Sequence, residues 1–251
     1  MPLRITWRIR ITVAGHLSFR KNLYFCKRQL YNVIKHIVEK GNWVRRDNYL
    51  YFKNFANPWI AITSEVDCTD AFHRAKKSNR SFFLYYLYAV TRAVNEIKEL
   101  RYRTDKDGNV VWHDTVDVIS PIAVPGRTFY TVRIPYKEDF ASFYREARHI
   151  VTNIPHDGDP YATDKAIAEA GDYDVFLLSA TPKLYFTGVT YTQMATGHSM
   201  DYPLMNAGKA ITRGERLYMP LALTVSHAFV DGEHISLFFE KVQALLNETD
   251  L

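Results

Sequence analysis

Near the end of the chain the segment VSHAFVDGEH, residues 225–234, sets His227, Asp231 and Gly232 in an HxxxDG spacing directly after an apolar run. A histidine at the end of a buried strand is well placed to act as a general base. The strand fixes its backbone, and Gly232 lets the chain turn tightly into whatever follows. Imidazole titrates near neutrality, so it can take a proton from a hydroxyl and return it to a leaving group. The spacing fits equally a structural imidazole held by a nearby carboxylate, and Asp231 could instead pair with an arginine elsewhere. The two cysteines, Cys26 and Cys68, supply neither a disulfide framework nor a ligand cluster, and they point to a reducing compartment.

The elements that must position His227 can be read from periodicity. RLYMPLALTVSHA reads as a long strand, partly buried on both faces, that delivers His227 at its end. EHISLFFEKVQALLN follows as an amphipathic helix with Ile235, Phe238, Phe239, Val242 and Leu245 on one stripe. Upstream, WIAITSEVDCT alternates as a half-buried strand, and Thr69 or Asp70 caps a helix through Ala71, Phe72 and Ala75. Ser81 opens a mostly buried helix, SFFLYYLYAVTRAVNEIKEL. A hairpin joins residues 102–104 to VVWHD through the Asp107-Gly108 turn. Strands are expected at VDVISPIAV, TFYTVRIPY, YDVFLLSA and LYFTGVTYTQ. A helix is expected from Asp139 to about Asn153, and a short one around Lys165–Ala170 within the loop-rich stretch 155–172. The plan is α+β, a mixed or antiparallel sheet flanked by about five helices.

With 251 residues, 47% apolar and 24% charged, the chain has an ordinary globular composition and can bury a sizeable core. The positive excess lies before residue 47, where eleven Lys and Arg stand against Glu39 alone, so the remainder is slightly acidic. A general face for nucleic acid is therefore not expected. No apolar run approaches a membrane span, and Ile11–Gly15 is too short for a secretory signal core. These features fit a cytoplasmic protein that binds neither membrane nor nucleic acid. Residues 1–38 are basic and aromatic without turn punctuation: a strand and helix, an amphipathic presequence, or a stretch translated from a misplaced upstream start. The domain is expected over 39–251.

SHAFVDGEHISLFFEKVQ resembles the HHxxxDG signature of the chloramphenicol acetyltransferases, which the acyltransferase components of 2-oxo acid dehydrogenases share. NWVRRDNYLYF is similar to the family's N-terminal W-x-R-R-acidic run, and YAVTRAVNEIKELRYR with WHDTVDVISP is similar to its helix and following strand. The spacing from Pro203 through Lys209, Gly214, Arg216, Leu217 and Pro220 to His227 follows the family too. The resemblance runs from about residue 39 to 247. It implies a CoA-dependent acyltransferase fold, a homotrimer with the active site between subunits, acetyl-CoA as cosubstrate, no metal, and a small-molecule alcohol as acceptor. His227 matches the general base and Ser179 the serine that bonds the tetrahedral oxyanion. Arg45 and Asp231 match an ion pair bracing the histidine loop, and Lys209 a lysine near the coenzyme phosphate.

The departures from the pattern fall mostly around the acceptor. Ser226 replaces the first histidine of the signature, Asn206 stands where a threonine is usual, and Ala210 replaces an aromatic next to the lysine. Phe52 stands in place of a drug-contacting tyrosine, and Pro58, Ile60 and Lys183 also differ. The resemblance therefore implies retained chemistry on chloramphenicol or on a different hydroxylated acceptor; a catalytically inactive CoA-binding relative is the further alternative. A dihydrolipoyl acyltransferase core fits less well, since no lipoyl segment or Ala/Pro-rich linker is present.

Overall fold

The computed structural model describes residues 34–155, 157–192 and 201–248, all within one unit that spans residues 33–251. Cys26 and most of the basic N-terminal segment lie outside the described residues. The described residues form two sheets. The smaller has three strands in the order β1-β4-β3: β1 (Lys35–Ile37), β4 (Val110–His113) and β3 (Tyr102–Thr104). Here β3 and β4 form the expected hairpin, with Gly108 at φ 80° in its turn. The strand β1 adds to β4 in antiparallel register, so the fold takes in residues ahead of 39.

The larger sheet is mixed, in the order β2-β10-β8-β7-β5-β6. Its strands are β2 (Trp59–Asp67), β5 (Asp117–Ala123), β6 (Phe129–Ile134), β7 (Val175–Thr181), β8 (Leu204–Gly208) and β10 (Arg216–Ser226), with β9 (Ile211–Arg213) paired onto the start of β10. Among the described residues six α-helices accompany them: α1 (Arg46–Phe52), α2 (Thr69–Lys77), α3 (Phe82–Asn95), α4 (Phe140–Thr152), α5 (Ala162–Ala170) and α6 (Gly232–Asn247).

Alternation along the strands sorts side chains between two faces. Leu221, Leu223 and Val225 of β10 join Met205, Ala207, Phe176, Leu178, Val118 and Val132 in the main core, beneath α3 and α6. The nearly fully buried α3 is the hub of that core, since Leu84–Val90 lie between the sheet and the other helices. Residues of the other parity face the second side. Ile119, Val175 and Leu204 there form a smaller cluster with Ile167 of α5. Ser179, Asn206, Ala222, Thr224 and Ser226 share this parity.

Three local expectations are corrected. The segment LYFTGVTYTQ forms no strand over its described part, residues 184–192, where Pro182-Lys183 turns the chain out of β7. The neighbour that β7 takes is β8, whose LMNAG sequence carries no alternation strong enough to announce it. Neither Thr69 nor Asp70 caps α2. Asp67 does this work, its Oδ1 accepting from the Thr69 backbone at 3.0 Å and from the Thr69 hydroxyl at 2.5 Å.

Candidate active site

Three features of the chain fix His227 at the end of β10. Its backbone N–H donates to the Pro58 carbonyl at 2.7 Å, which ties it to the approach to β2. Its Nδ1 lies 2.8 Å from the Val230 carbonyl oxygen. Its ring stacks on Phe52 with centroids 4.1 Å apart and 29° between the planes. A carbonyl oxygen only accepts, so Nδ1 carries the hydrogen and the neutral ring presents its lone pair at Nε2. The geometry thus selects the tautomer that a base acting through Nε2 requires.

The loop from Ser226 to Asp231 is held from both ends of α1. At its start, Arg45 donates from Nη1 to Oδ2 of Asp231 at 2.7 Å; at its end, Phe52 covers the imidazole. Between these points Phe229 is buried against Tyr49 (5.6 Å, stacked), Tyr102 and Trp43. The backbone closes with Phe229 and Val230 N–H both donating to the Ser226 carbonyl at 3.0 Å. Asp231 is the N-cap of α6 and accepts from the backbone of His234, whose side chain closes the capping box. Burial alone would raise the Asp231 carboxyl, but the Arg45 hydrogen bond and the charges of His234 and Arg45 hold it below its ordinary value. The Arg45–Asp231 pair expected from the sequence is therefore present.

Ser179 and Asn206 come together in a different place. They are direct neighbours across β7 and β8, half-buried, and Asn206 in turn faces Ala222 of β10. Asn206 Oδ1 accepts from the Thr181 hydroxyl at 2.7 Å, a partner absent from the sequence reading. Ala222 precedes Ser226 by four residues, and two strand spacings separate β7 from β10. Standard strand dimensions then place Ser179 about 16 Å from Ser226 between Cα atoms. Within one chain this sets Ser179 well apart from the end of β10 that carries His227.

Lys209 follows β8, exposed and without an ion-pair partner among the described residues; its backbone donates to the Leu184 carbonyl at 2.8 Å. Gly208 beside it admits no side chain, since an added Cβ would lie 2.6 Å from Pro220 and 2.8 Å from Phe186. Ala210 is half-buried against the core, Lys183 is exposed, and Ile60 is half-buried beside Phe52's part of the core. Tyr51, Phe52 and Phe55 form a ring cluster at the site's edge, with Tyr51 63% exposed. Cys68 is buried and donates to the Leu217 carbonyl. Burial pushes its thiol up to about 12, so it carries no nucleophilic thiolate at neutral pH. Two contributors escaped the sequence reading, the Val230 carbonyl and His234. A carbonyl has no sequence signal, whereas D-x-x-H at the start of α6 is a variant of the capping-box pattern.

Among the described residues no helix is long and apolar enough to cross a membrane, and no cluster of His, Cys, Asp and Glu is placed to hold a metal ion.

The chain is similar to several known proteins. The Staphylococcus aureus chloramphenicol acetyltransferase is 27% identical over 211 residues, covering 83% of this chain and 94% of that protein. A solved structure of a chloramphenicol acetyltransferase is 52% identical, with a TM-score of 0.80, and covers 85% of this chain and 100% of that one. A probable dihydrolipoamide acetyltransferase from Listeria monocytogenes shares the fold at 15% identity and a TM-score of 0.52, covering 81% and 91% of the two chains. The family model for chloramphenicol acetyltransferase matches residues 33–243, and the chain, with its HxxxDG loop braced by Arg45, belongs to that family.

Proposed function

We propose that the chain transfers the acetyl group of acetyl-CoA to a hydroxyl of chloramphenicol or a closely similar small-molecule alcohol, within a ternary complex. The observation that carries the proposal is the His227 Nδ1–H bond to the Val230 carbonyl, which leaves Nε2 as the free base. Nε2 takes the hydroxyl proton as the acceptor oxygen attacks the thioester carbonyl. Collapse of the tetrahedral species breaks the C–S bond, and the proton returns from the imidazolium to the departing thiolate. Ser179 is assigned to the oxyanion, where a hydroxyl donor stabilises charge that develops only in the transition state. Asn206, fixed by Thr181, lies beside it. Lys209 suits a coenzyme phosphate, because it is exposed and carries a point charge.

The separation between Ser179 and His227 within one chain supports a homotrimer in which one subunit supplies the base and its neighbour the oxyanion donor. Phe52 and Ile60 are assigned to the acceptor wall, and the aromatic cluster with Tyr51 and Phe55 favours an acceptor bearing an aromatic ring. Residues 39–251 are read as the catalytic domain. The segment 1–38 is read as its extension, with Lys35–Ile37 adding a strand to the small sheet. The cytoplasm is the proposed location.

The test is a free-thiol release assay with acetyl-CoA and a panel of hydroxylated acceptors that includes chloramphenicol. His227→Ala is expected to lower kcat by about 10²–10⁴ without loss of folding. Near wild-type turnover in that variant would refute the mechanism. Turnover of another alcohol, with none of chloramphenicol, would reassign the acceptor alone.

A further inference from the structure

We propose that His234 is a positioning residue for the base, acting on His227 through Asp231 and the Val230–Asp231 peptide; the inference rests on His227 being the base. The Val230 carbonyl that orients His227 shares its peptide plane with the Asp231 nitrogen, so whatever fixes Asp231 also aims that carbonyl. The N–H of that same peptide, on Asp231, donates to His234 Nδ1 at 3.3 Å, so Nδ1 is the acceptor and the neutral ring carries its hydrogen on Nε2. The Asp231 carboxylate is held separately, Oδ2 accepting from Arg45 Nη1 at 2.7 Å. The far side of the same ring, Nε2, lies 3.7 Å from Glu99 in the 3₁₀ turn Lys98–Arg101.

This arrangement has a purpose that capping alone does not need. The N-terminal backbone of α6 is already served by the Asp231 side chain accepting from the His234 backbone N–H. The His234 ring instead holds the N–H of the peptide whose carbonyl faces His227. Its side chain is only 18% exposed, so it shuts water away from that N–H. Without the ring acceptor the Asp231 N–H would turn to water, and the peptide that faces His227 would lose one of its restraints. The His227 ring could then leave the Nδ1–H arrangement for the other tautomer, which has no lone pair at Nε2.

The test compares His234→Phe, which keeps a ring without an acceptor, with His234→Gln, whose side-chain oxygen restores an acceptor as in the ordinary capping box, using acetyl-CoA and the best alcohol of the panel. His234→Phe is expected to lower kcat by about tenfold with both KM values unchanged, and His234→Gln to recover it to within about threefold of wild type. His234→Ala is expected to match the phenylalanine variant. Ser236→Ala removes another first-turn bond of α6, the 2.9 Å contact to the Gly232 carbonyl, and is expected to keep full kcat. In the His227→Ala background, His234→Phe should lower the residual rate no further, because its effect runs through the base.

A wild-type kcat for His234→Phe would overturn the inference. So would a loss that persists in the His227→Ala background, since that is the mark of general damage to the fold. Should His227→Ala itself turn over normally, the base reading fails first and this inference with it, and the same assay separates the two cases.

Discussion

Breaking the Arg45–Asp231 pair from each side should have unequal consequences. The Arg45 side chain is 9% exposed and that of Asp231 33%, and the bond between them is 2.7 Å long. The two remaining guanidinium nitrogens, Nε and Nη2, are buried without a hydrogen-bond partner among the described residues. Asp231→Ala therefore strands a buried cation with no acceptor, and it also removes the N-cap of α6. A loss of about 3–5 kcal/mol is expected. Arg45→Ala leaves a carboxylate that still has His234 and water, so the loss should be nearer 1–3 kcal/mol. The double variant should cost less than the sum of the two, by about 1–3 kcal/mol. The assay is urea unfolding of all four proteins at one fixed protein concentration, because an oligomer's apparent stability depends on it. Asp231 is held below its ordinary carboxyl value, so its contribution is complete at neutral pH and is lost only as pH falls through that depressed range. The measurement therefore belongs at pH 7. Equal losses, the reverse order, or strict additivity would refute the reasoning.

Ser179→Ala should lower kcat by about 10²–10³ with little change in either KM, as for a donor used mainly in the transition state; a pure KM effect would assign Ser179 to ground-state binding. Phe52→Tyr places a hydroxyl at the acceptor wall and should lower the KM for chloramphenicol by up to about tenfold, the worth of one neutral hydrogen bond. An unchanged KM would remove Phe52 from the acceptor site. Stability should also fall between pH 6.5 and 4 through His113, which is buried on β4 with Nε2 donating to the Asp172 carbonyl. Burial, then the Arg103 charge, depresses its folded value to about 4. The unfolded chain thus takes up the proton first, and folding is fully supported above pH 6.5 and weakened below it. The loss should reach about 2 kcal/mol at pH 5. Urea midpoints at pH 7 and pH 5 for wild type and His113→Asn check this, and an identical pH dependence in the variant would clear His113.

How much of the site was legible in the sequence follows from the range of the interactions involved. β10, α6, the β3–β4 hairpin and α4 were readable, since each rests on periodicity or on a turn spanning a few residues. His227 and Asp231 share one short segment and stood out for that reason. Their resemblance to a known signature then led to Arg45, 186 residues away from Asp231. β8 and the coil after β7 were misread because a short five-residue strand and an aromatic coil carry similar patterns. Only tertiary pairing distinguishes them.

What the tertiary structure decided was contact between distant segments. Sheet order and register place Ser179 beside Asn206 yet far from His227, and no local pattern encodes a distance that depends on which strands become neighbours. The Val230 carbonyl that sets the His227 tautomer, and the hold of the His234 ring on the Asp231 N–H, depend on how a loop closes on itself. Backbone carbonyls look alike in a sequence. The chain by itself determined which chemical groups were available; packing determined which of them meet.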